Sequence, residues 1–276
     1  MKNIGIKFAA VAFVLCASLP AFAGKGGSAD KIQSAIASNS VDAIIAEVER
    51  AEGLTCFDCI QLVTNLTEDS RYDVRAVAAW WFAKRPSLKK VLAEQFDAEL
   101  RTGTTVKVRN AADFLGRTMS YTALPSLRVA IKRDVGAEAK LAIVRAVAYL
   151  GHRGGNEVLT VAMADGDAGV RAAAALAWRD IYDQVDAGPV VGLLGDADAK
   201  VRAEAATTIG GMKAAAGRAA LEALVVSDAS PIVRKNAAWA LGKLGDAASR
   251  AALTKASTDE SGFVRLTAKA ALGQLR

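Results

Sequence analysis

The chain has 276 residues, of which 52% are hydrophobic, 6% aromatic and 23% charged. This balance excludes an intrinsically disordered chain, and frequent alanine with few aromatic residues favours closely packed helices over β-sheets. The net charge is +6, but no run of five or more lysines and arginines occurs. Nucleic acid is therefore not expected as a partner.

The first 23 residues have the features of a secretory signal peptide. Lys2 and Lys7 precede an apolar run over residues 8–23, which closes with the small-x-small sequence Ala21-Phe22-Ala23. The run is shorter than the roughly 20 apolar residues that a membrane helix needs. Cleavage after Ala23 would leave a flexible glycine-rich leader, residues 24–29, and a net charge of +4. We expect a periplasmic or secreted protein with no membrane insertion after cleavage.

From residue 30 to residue 276, apolar residues recur with the spacing of amphipathic helices, and few segments alternate as strands do. The pattern predicts helices near residues 30–38, 41–52, 56–66, 72–84, 87–100, 105–116, 122–133, 137–150, 156–164, 168–182, 188–195, 199–210, 214–226, 231–243, 246–257 and 261–275.

Near the start of the third predicted helix, Cys56 and Cys59 are the two cysteines that remain after signal cleavage. In an oxidising compartment we expect them to form a disulfide. Two alternatives stay open: a redox couple, since a helix N-terminus lowers a thiol pKa, and a pair that bonds to a partner or stays reduced. Haem attachment would need a histidine in place of Ile60, and zinc would need about four ligands. No cofactor is expected.

A repeated motif covers the C-terminal part of the chain. The pair Val-Arg recurs with a nearly constant period of about 31 residues, and an aspartate stands five positions ahead of each valine. Looser copies upstream are Val74-Arg75, Val108-Arg109 and Val144-Arg145. The pattern indicates regular repeats over residues 165–276 and degenerate repeats over residues 30–164. The regular copies are Asp165 with Val170-Arg171, Asp196 with Val201-Arg202, Asp228 with Val233-Arg234, and Asp259 with Val264-Arg265.

Each repeat has the features of a helical hairpin whose first helix follows the aspartate. The aspartates are predicted to cap the helix N-terminus, and Gly242 is predicted to end the helix that starts near residue 231. One face of this helix is apolar and is predicted to form the core: Val233, Ala237, Ala240 and Leu241.

The four tryptophans are predicted to lie on first helices. Trp81 has the phase of the core, whereas Trp80 and Trp239 point away from it. These two are expected either to pack against neighbouring repeats or to form exposed anchors for a partner. Trp178 is placed on the helix at residues 168–182.

The motif Asp-x-x-x-x-Val-Arg, followed by stretches such as Ala237-Ala238-Trp239-Ala240-Leu241-Gly242, resembles the HEAT-repeat superfamily in its short phycobilisome-lyase-like form. The resemblance implies an all-α fold, an α-solenoid (superhelix) of HEAT-like helical hairpins, in an exported bacterial protein. It also implies that the repeat aspartates and arginines form a structural ladder between successive repeats: Asp165, Arg171, Asp196, Arg202, Asp228, Arg234, Asp259 and Arg265.

Two enzyme activities occur among proteins with similar repeats. HEAT-like deoxyhypusine hydroxylases bind a di-iron centre through paired His-Glu motifs, and here the single histidine, His152, is followed by Arg153. Bilin lyase subunits share the repeat, but that assignment would rest on fold analogy alone. We therefore expect a protein that is not an enzyme.

The expected function is a scaffold or adaptor that binds a protein or peptide along the concave face, which second helices line in HEAT-like solenoids. The alternative is a redox or lyase-type accessory protein that uses Cys56 and Cys59. Cations on the second helices are the partner-binding candidates, and they would favour an acidic partner. They are Lys90, Arg128, Lys132, Arg218 and Arg250.

Overall fold

The computed structural model of the chain describes residues 27–54 and 56–276. The predicted signal peptide, residues 1–23, lies outside these ranges, as do residues 24–26 of the predicted leader. The described part is helical and contains no β-strand, and its architecture is an all-α solenoid. The first helix begins at Ala29, one residue earlier than expected, because Ser28 caps it by accepting the N–H of Lys31.

The chain divides into two compact units, the first ending at Leu92 and the second beginning at Ala93. In the first unit, α1 packs on α2 and α3, and α4 packs on α2 and α3. The helices of this unit are α1 (Ala29–Ala37), α2 (Val41–Arg50), α3 (Phe57–Leu66), α4 (Tyr72–Ala83) and the first part of α5 (Pro86–Thr102).

In the second unit, helices with even numbers form one layer and helices with odd numbers form the other. Each even helix packs on the next even helix along the chain. The helices are α6 (Thr105–Arg117), α7 (Leu124–Ala130), α8 (Gly136–Leu150), α9 (Asn156–Met163), α10 (Ala168–Ala177), α11 (Gly188–Gly192), α12 (Ala199–Met212), α13 (Arg218–Ser227), α14 (Pro231–Leu244), α15 (Arg250–Ala256) and α16 (Gly262–Leu272).

The apolar face predicted for α14 forms part of the core. Val233, Ala237, Ala240 and Leu241 are all fully buried. Because they recur at helical spacing, burying them orients the whole helix against its neighbours. This prediction of the core face is confirmed.

Adjacent even helices approach closely where glycine meets alanine. A Cβ atom added to Gly210 would lie 2.7 Å from Cα of Ala240, and one added to Gly242 would lie 2.9 Å from Cα of Ala271. Gly242 therefore lies inside α14 and permits close packing. The prediction that it ends the helix is wrong, because Gly245, with a left-handed φ of 72°, ends α14.

The helix predicted over residues 168–182 is shorter than expected. α10 ends at Ala177, and Trp178 lies in the following 3₁₀ turn with its indole N–H donated to the carbonyl of Asp186 at 2.6 Å. The N–H of Tyr182 donates to the carbonyl of Gly151 in the preceding repeat at 2.7 Å. These two bonds hold the segment after Ala177 out of the α-helical conformation.

The predicted helices at residues 214–226 and 246–257 begin four residues later than expected. A 3₁₀ turn, residues 215–217 or 247–249, precedes each of them. Gly217 packs under the side chain of Ile209, and a Cβ atom there would lie 2.6 Å from a methyl group of that residue. The tight turn therefore replaces the first helical turn at this position.

A buried cation, Arg85, links two segments of the first unit. The Arg85 guanidinium lies 3.3 Å from the centroid of the fully buried Trp81 ring, and it donates to the carbonyls of Ala51, Glu52 and Leu54 after α2. Burial lowers the pKa of Arg85 to about 10. The loop that follows α2 is thereby tied to the end of α4.

Candidate functional site

The turn before each regular even helix is built by its aspartate and arginine. Oδ1 of Asp196 accepts the N–H of Asp198 at 2.8 Å, and Nη1 of Arg202 donates to the carbonyl of Asp196 at 2.8 Å. The same two bonds occur at Asp165, Asp228 and Asp259. These aspartates therefore cap the turn, whereas Asp198 is the residue that caps the helix itself.

The same arginines link each repeat to the next. Arg171 donates two hydrogen bonds to Asp196 at 2.8 and 2.9 Å. Arg202 binds Asp228 in this way at 2.7 and 3.0 Å, and Arg234 binds Asp259 at 2.7 and 2.9 Å. We call these three ion pairs the rungs. Two-bond pairing fixes both distance and orientation, so the rungs set the register of successive repeats.

The rungs have the electrostatics of structural pairs. Hydrogen bonds from Arg171 and Arg234 hold the pKa values of Asp196 and Asp259, respectively, below their usual value. Arg265, the fourth ladder candidate, is exposed, and within the described residues its guanidinium donates to the carbonyls of Asp259 and Glu260. It helps to build its own turn.

Upstream of the regular repeats, Lys140 takes the position of the rung arginine. Its Nζ donates to Asp165 at 2.6 Å across 25 residues, the same separation as between Arg171 and Asp196. Arg145 instead donates a hydrogen bond of 2.6 Å to Asp113, which precedes it by 32 residues in the chain. The interpretation of Val144-Arg145 as a copy of the motif is therefore wrong, because the equivalent position lies five residues earlier on α8.

Two of the predicted partner-binding cations share one carboxylate on the odd layer. Nζ of Lys132 lies 2.8 Å from Glu157, and Nε of Arg128 lies 3.6 Å from it. Arg128 also donates to the carbonyl of Gly154 at 3.1 Å. The hydrogen bond from Lys132 lowers the pKa of Glu157 below its usual value. This part of the face is a mixed-charge cluster with exposed side chains.

A second cluster surrounds Arg218, farther along the odd layer. Its guanidinium binds Glu222 at 2.7 Å and Asp246 of the next hairpin at 3.2 Å. The hydroxyl of Ser249 donates to the same Glu222 oxygen at 2.8 Å. Arg250 is exposed beside this cluster. In the first unit, the remaining candidate, Lys90, is an exposed residue of α5.

The cysteine pair lies at the N-terminus of α3. The two Sγ atoms are 2.08 Å apart, at disulfide bonding distance. Cys59 is fully buried, whereas Cys56 is exposed and its sulfur accepts the N–H of Cys59 at 3.0 Å. Of the two cysteine residues, Cys56 is thus the one that is exposed to solvent.

Comparisons with a protein family and with solved structures agree with this geometry. A family profile described as HEAT repeats matches residues 187–273, which contain rungs, turns and close-packed even helices. Residues 187–273 are therefore similar to HEAT repeats. No curated protein matches its sequence.

Solved structures share the fold of these HEAT repeats. YibA of Escherichia coli is similar over 99% of this chain and 98% of its own, with a TM-score of 0.58 and 15% identity. A chain from the structure of Kap95p with RanGDP has a TM-score of 0.56 and 15% identity over 88% of this chain, which spans only 40% of that one. An engineered protein has a TM-score of 0.50 and 18% identity, with 90% and 81% covered.

Within the described residues, no group of three or more histidine, cysteine, aspartate or glutamate side chains is placed to hold a metal ion. A separate finding concerns membranes: none of the helices in residues 27–54 and 56–276 is both long and apolar enough to cross one.

Sequence reasoning named the cations on the odd layer but missed the acids that pair with them. Glu157 and Asp246 each stand about one repeat after the cations they bind, and Glu222 stands one helical turn after Arg218. The signal was present, because separations near the repeat length bring successive hairpins together. These acidic partners can be found in the sequence only when acidic and basic residues are both aligned by the repeat period.

Proposed function

We propose that the chain is a non-catalytic scaffold that binds a protein or peptide partner along its odd layer. The observation that carries the proposal is the division of charge in the second unit. The cations of the rungs are used for structure at the repeat boundaries, whereas those of α7, α13 and α15 lie on a face that no rung occupies. Protein binding is the common use of HEAT repeats.

The solved structures support this proposal only at the level of the fold. Kap95p binding induces the switch loops of RanGDP to adopt the GTP-bound conformation, so a solenoid of similar fold contacts a folded protein. At 15% identity, the likeness does not indicate which partner this chain binds. We infer the partner class, a protein or peptide with acidic groups, from the cations of this layer, of which Lys90, Lys132 and Arg250 are exposed.

We further propose that the protein works outside the cytoplasm, in the periplasm or as a secreted protein. The features of residues 1–23 support this, since Lys2 and Lys7 precede an apolar run that closes with Ala21-Phe22-Ala23. The measurement is the intact mass of protein from the periplasmic fraction. We expect the mass of a chain that begins at Gly24. The mass of a chain that retains residues 1–23 would contradict export by cleavage.

The binding face is tested by removing three cations from the odd layer. Since Arg218 lies beside Glu222 and Asp246, a glutamate there would add repulsion and disturb folding. The variant is therefore Arg128→Gln, Arg218→Gln and Arg250→Gln combined. Partners are first identified by crosslinking in intact cells, and we expect the variant to bind the identified partner at least tenfold more weakly, or about 1.4 kcal/mol.

A matched control removes three cations from the even side of the same unit: Arg179, Lys200 and Lys213, each changed to glutamine. It alters net charge equally, so a general electrostatic effect would weaken both variants alike. Helicity by circular dichroism shows that both variants fold. If the odd-layer variant folds and binds the identified partner as well as wild type at low salt, the odd layer is not the binding face.

A second candidate function, thiol-disulfide exchange, is favoured by one observation: the disulfide presents exposed Cys56 and shields Cys59. A thiolate of a dithiol substrate would attack Sγ of Cys56, the bond between the two sulfurs would break, and its electron pair would remain on Cys59. The second substrate thiol would then displace Cys56, which leaves the substrate as a disulfide and the chain as a dithiol.

The two functions are separated by the double variant Cys56→Ser and Cys59→Ser. A loop of four residues gives the disulfide only about 2 kcal/mol of stabilisation in the chain-entropy description, so we expect the variant to fold. A scaffold keeps its partner affinity in this variant. If the protein instead acts by thiol-disulfide exchange, the wild type oxidises a dithiol such as reduced lipoamide stoichiometrically, and the variant does not.

A further inference from the structure

The outer surface of α14 and α16 exposes four large apolar side chains. Phe263 is 77% exposed, Leu266 69%, Ile232 61% and Trp239 36%. Single exposed apolar residues are ordinary, but several on two neighbouring, packed helices form a patch that usually marks a contact surface. We call these four residues the outer patch.

Earlier repeats supply an internal comparison for the outer patch. Two helical positions are compared, one residue before the motif valine and two residues after it. In α10 and α12 these positions hold only small or polar residues, so the solenoid does not need large apolar groups there. The residues are Gly169 and Ala172 in α10, Lys200 and Ala203 in α12, Ile232 and Lys235 in α14, and Phe263 and Leu266 in α16.

The position of Trp239, six residues after the motif valine, varies more widely. It holds Leu176 in α10, where the side chain is half-buried, and Thr207 in α12. Trp239 is therefore not the residue that sets α14 apart from the earlier even helices. The distinction between the last two even helices and the earlier ones rests on Ile232, Phe263 and Leu266.

The same two helices are strongly basic. α14 and α16 contain five lysines and arginines and no aspartate or glutamate. Arg234 is used in a rung, whereas Lys243, Arg265 and Lys269 are exposed. Nζ of Lys243 lies 5.6 Å from the ring centroid of Trp239. Lys243 thus borders Trp239, and Lys269 follows Leu266 by three residues on α16. Glu260, just before α16, is paired with Arg234. We therefore expect whatever covers the patch to carry negative charge.

The shape of the patch favours a helix as its occupant. Seven residues separate Ile232 from Trp239, or about 10 Å along the helix, and packed helix axes lie about 8–10 Å apart. This footprint matches two to three turns of one helix laid across α14 and α16. The Trp239 ring lies against α12, because a Cβ atom added to Gly210 would be 2.7 Å from it. Lipid insertion would need side chains that reach about 5–10 Å into a bilayer, and a ring held against a neighbouring helix does not project in this way.

We propose that α14 and α16 form a second docking surface, which binds an acidic amphipathic helix of another protein. The apolar side of that helix covers the outer patch, and its carboxylates bind Lys243, Arg265 and Lys269. This surface belongs to the even layer, so it is separate from the odd-layer face proposed above. One chain can then hold two partners, which is what a scaffold requires.

The test uses a fluorescein-labelled synthetic helix of about 18 residues, or five turns, with leucines at i, i+3, i+4 and i+7 and glutamates on the other side. A scrambled peptide of the same composition controls for charge alone. Fluorescence anisotropy is measured with the full mature chain at low and at physiological salt. We expect the amphipathic peptide to bind, the scrambled one to bind at least tenfold more weakly, and salt to weaken binding.

Two variants test the two halves of the surface. Phe263→Ser with Leu266→Ser removes exposed apolar groups, and Lys243→Gln with Lys269→Gln removes charge. Each should weaken peptide binding at least tenfold while the circular dichroism spectrum is unchanged. The matched control is Tyr182→Ser with Val185→Ser, since these side chains are 82% and 83% exposed on a loop elsewhere in the unit. The control should bind as wild type does.

Several results would overturn the proposal. The first is absence of peptide binding at low salt, and the second is equal binding by wild type and the Phe263 and Leu266 variant. In a third, the wild-type protein does not bind the peptide but binds vesicles of two parts phosphatidylcholine to one part phosphatidylglycerol, and the same variant abolishes vesicle binding. This result would assign the patch to lipid. A fourth is concentration-dependent dimerisation that this variant abolishes, which would assign it to a second copy.

Discussion

Replacing one rung arginine should destabilise the second unit far more than replacing the equivalent exposed arginine. Arg202 makes two hydrogen bonds to Asp228 and two to the backbone carbonyls of Asp196 and Ala197. The side chains of Arg202 and Asp228 are 16% and 4% exposed. Arg202→Met therefore leaves a buried carboxylate without its cation, a change that costs about 3–5 kcal/mol.

Arg265→Met is the matched control. It removes the same side chain from the same helical position, but Arg265 is exposed and bonds only to two carbonyls in the described structure. Its loss should cost under about 1 kcal/mol. Urea unfolding followed by circular dichroism gives both values, provided that the dependence on urea stays the same, since repeat proteins can unfold in parts.

The double variant Arg202→Met with Asp228→Asn identifies the source of the cost. If the orphaned carboxylate is responsible, neutralising it should recover part of the lost stability. The reasoning fails if Arg202→Met costs no more than Arg265→Met. It also fails if the second substitution makes the protein less stable still.

Close packing of the even layer predicts that Gly210→Ala lowers the stability of the fold by about 1–3 kcal/mol, because the new Cβ would lie 2.7 Å from Cα of Ala240. The control is Gly192→Ala, whose Cβ would meet no atom within 4 Å, and it should be neutral or slightly stabilising. Equal melting temperatures of the two variants would contradict this prediction. Stability should also fall on acidification. The pKa values of Asp196 and Asp259 lie below the unfolded value of about 3.9, so the rungs contribute fully above that pH and lose their contribution as the pH drops through the folded pKa values. A melting temperature that stays constant from pH 5 to pH 2.5 would show that the rungs do not stabilise the fold.

The helical architecture could be predicted from the sequence because its signals are local. Val233, Ala237 and Leu241 recur at helical spacing, and burial of one face is all that this pattern requires. The ends of helices were less predictable. Gly242 and Gly245 are both glycines near the end of α14, and only the position of Ala271 in the next repeat decides which one packs and which one turns.

The candidate site was less predictable than the fold, because it depends on pairs of residues from different hairpins. Arg218 and Lys132 could be placed on the odd layer from periodicity. Their partners, Asp246 and Glu157, could be found only by asking what lies one repeat away. The same limit hid Lys140, since a lysine at the rung position breaks the Val-Arg pattern while keeping its ion pair with Asp165.

The rungs span 25, 26 and 25 residues, yet the odd helices between them differ in length. α11 has five residues, whereas α13 has ten. The even layer and its ion pairs therefore act as a fixed frame into which the odd segments are inserted. Such a division permits evolution or an engineer to exchange one odd segment for another, and so to change what the protein recognises without altering its backbone frame.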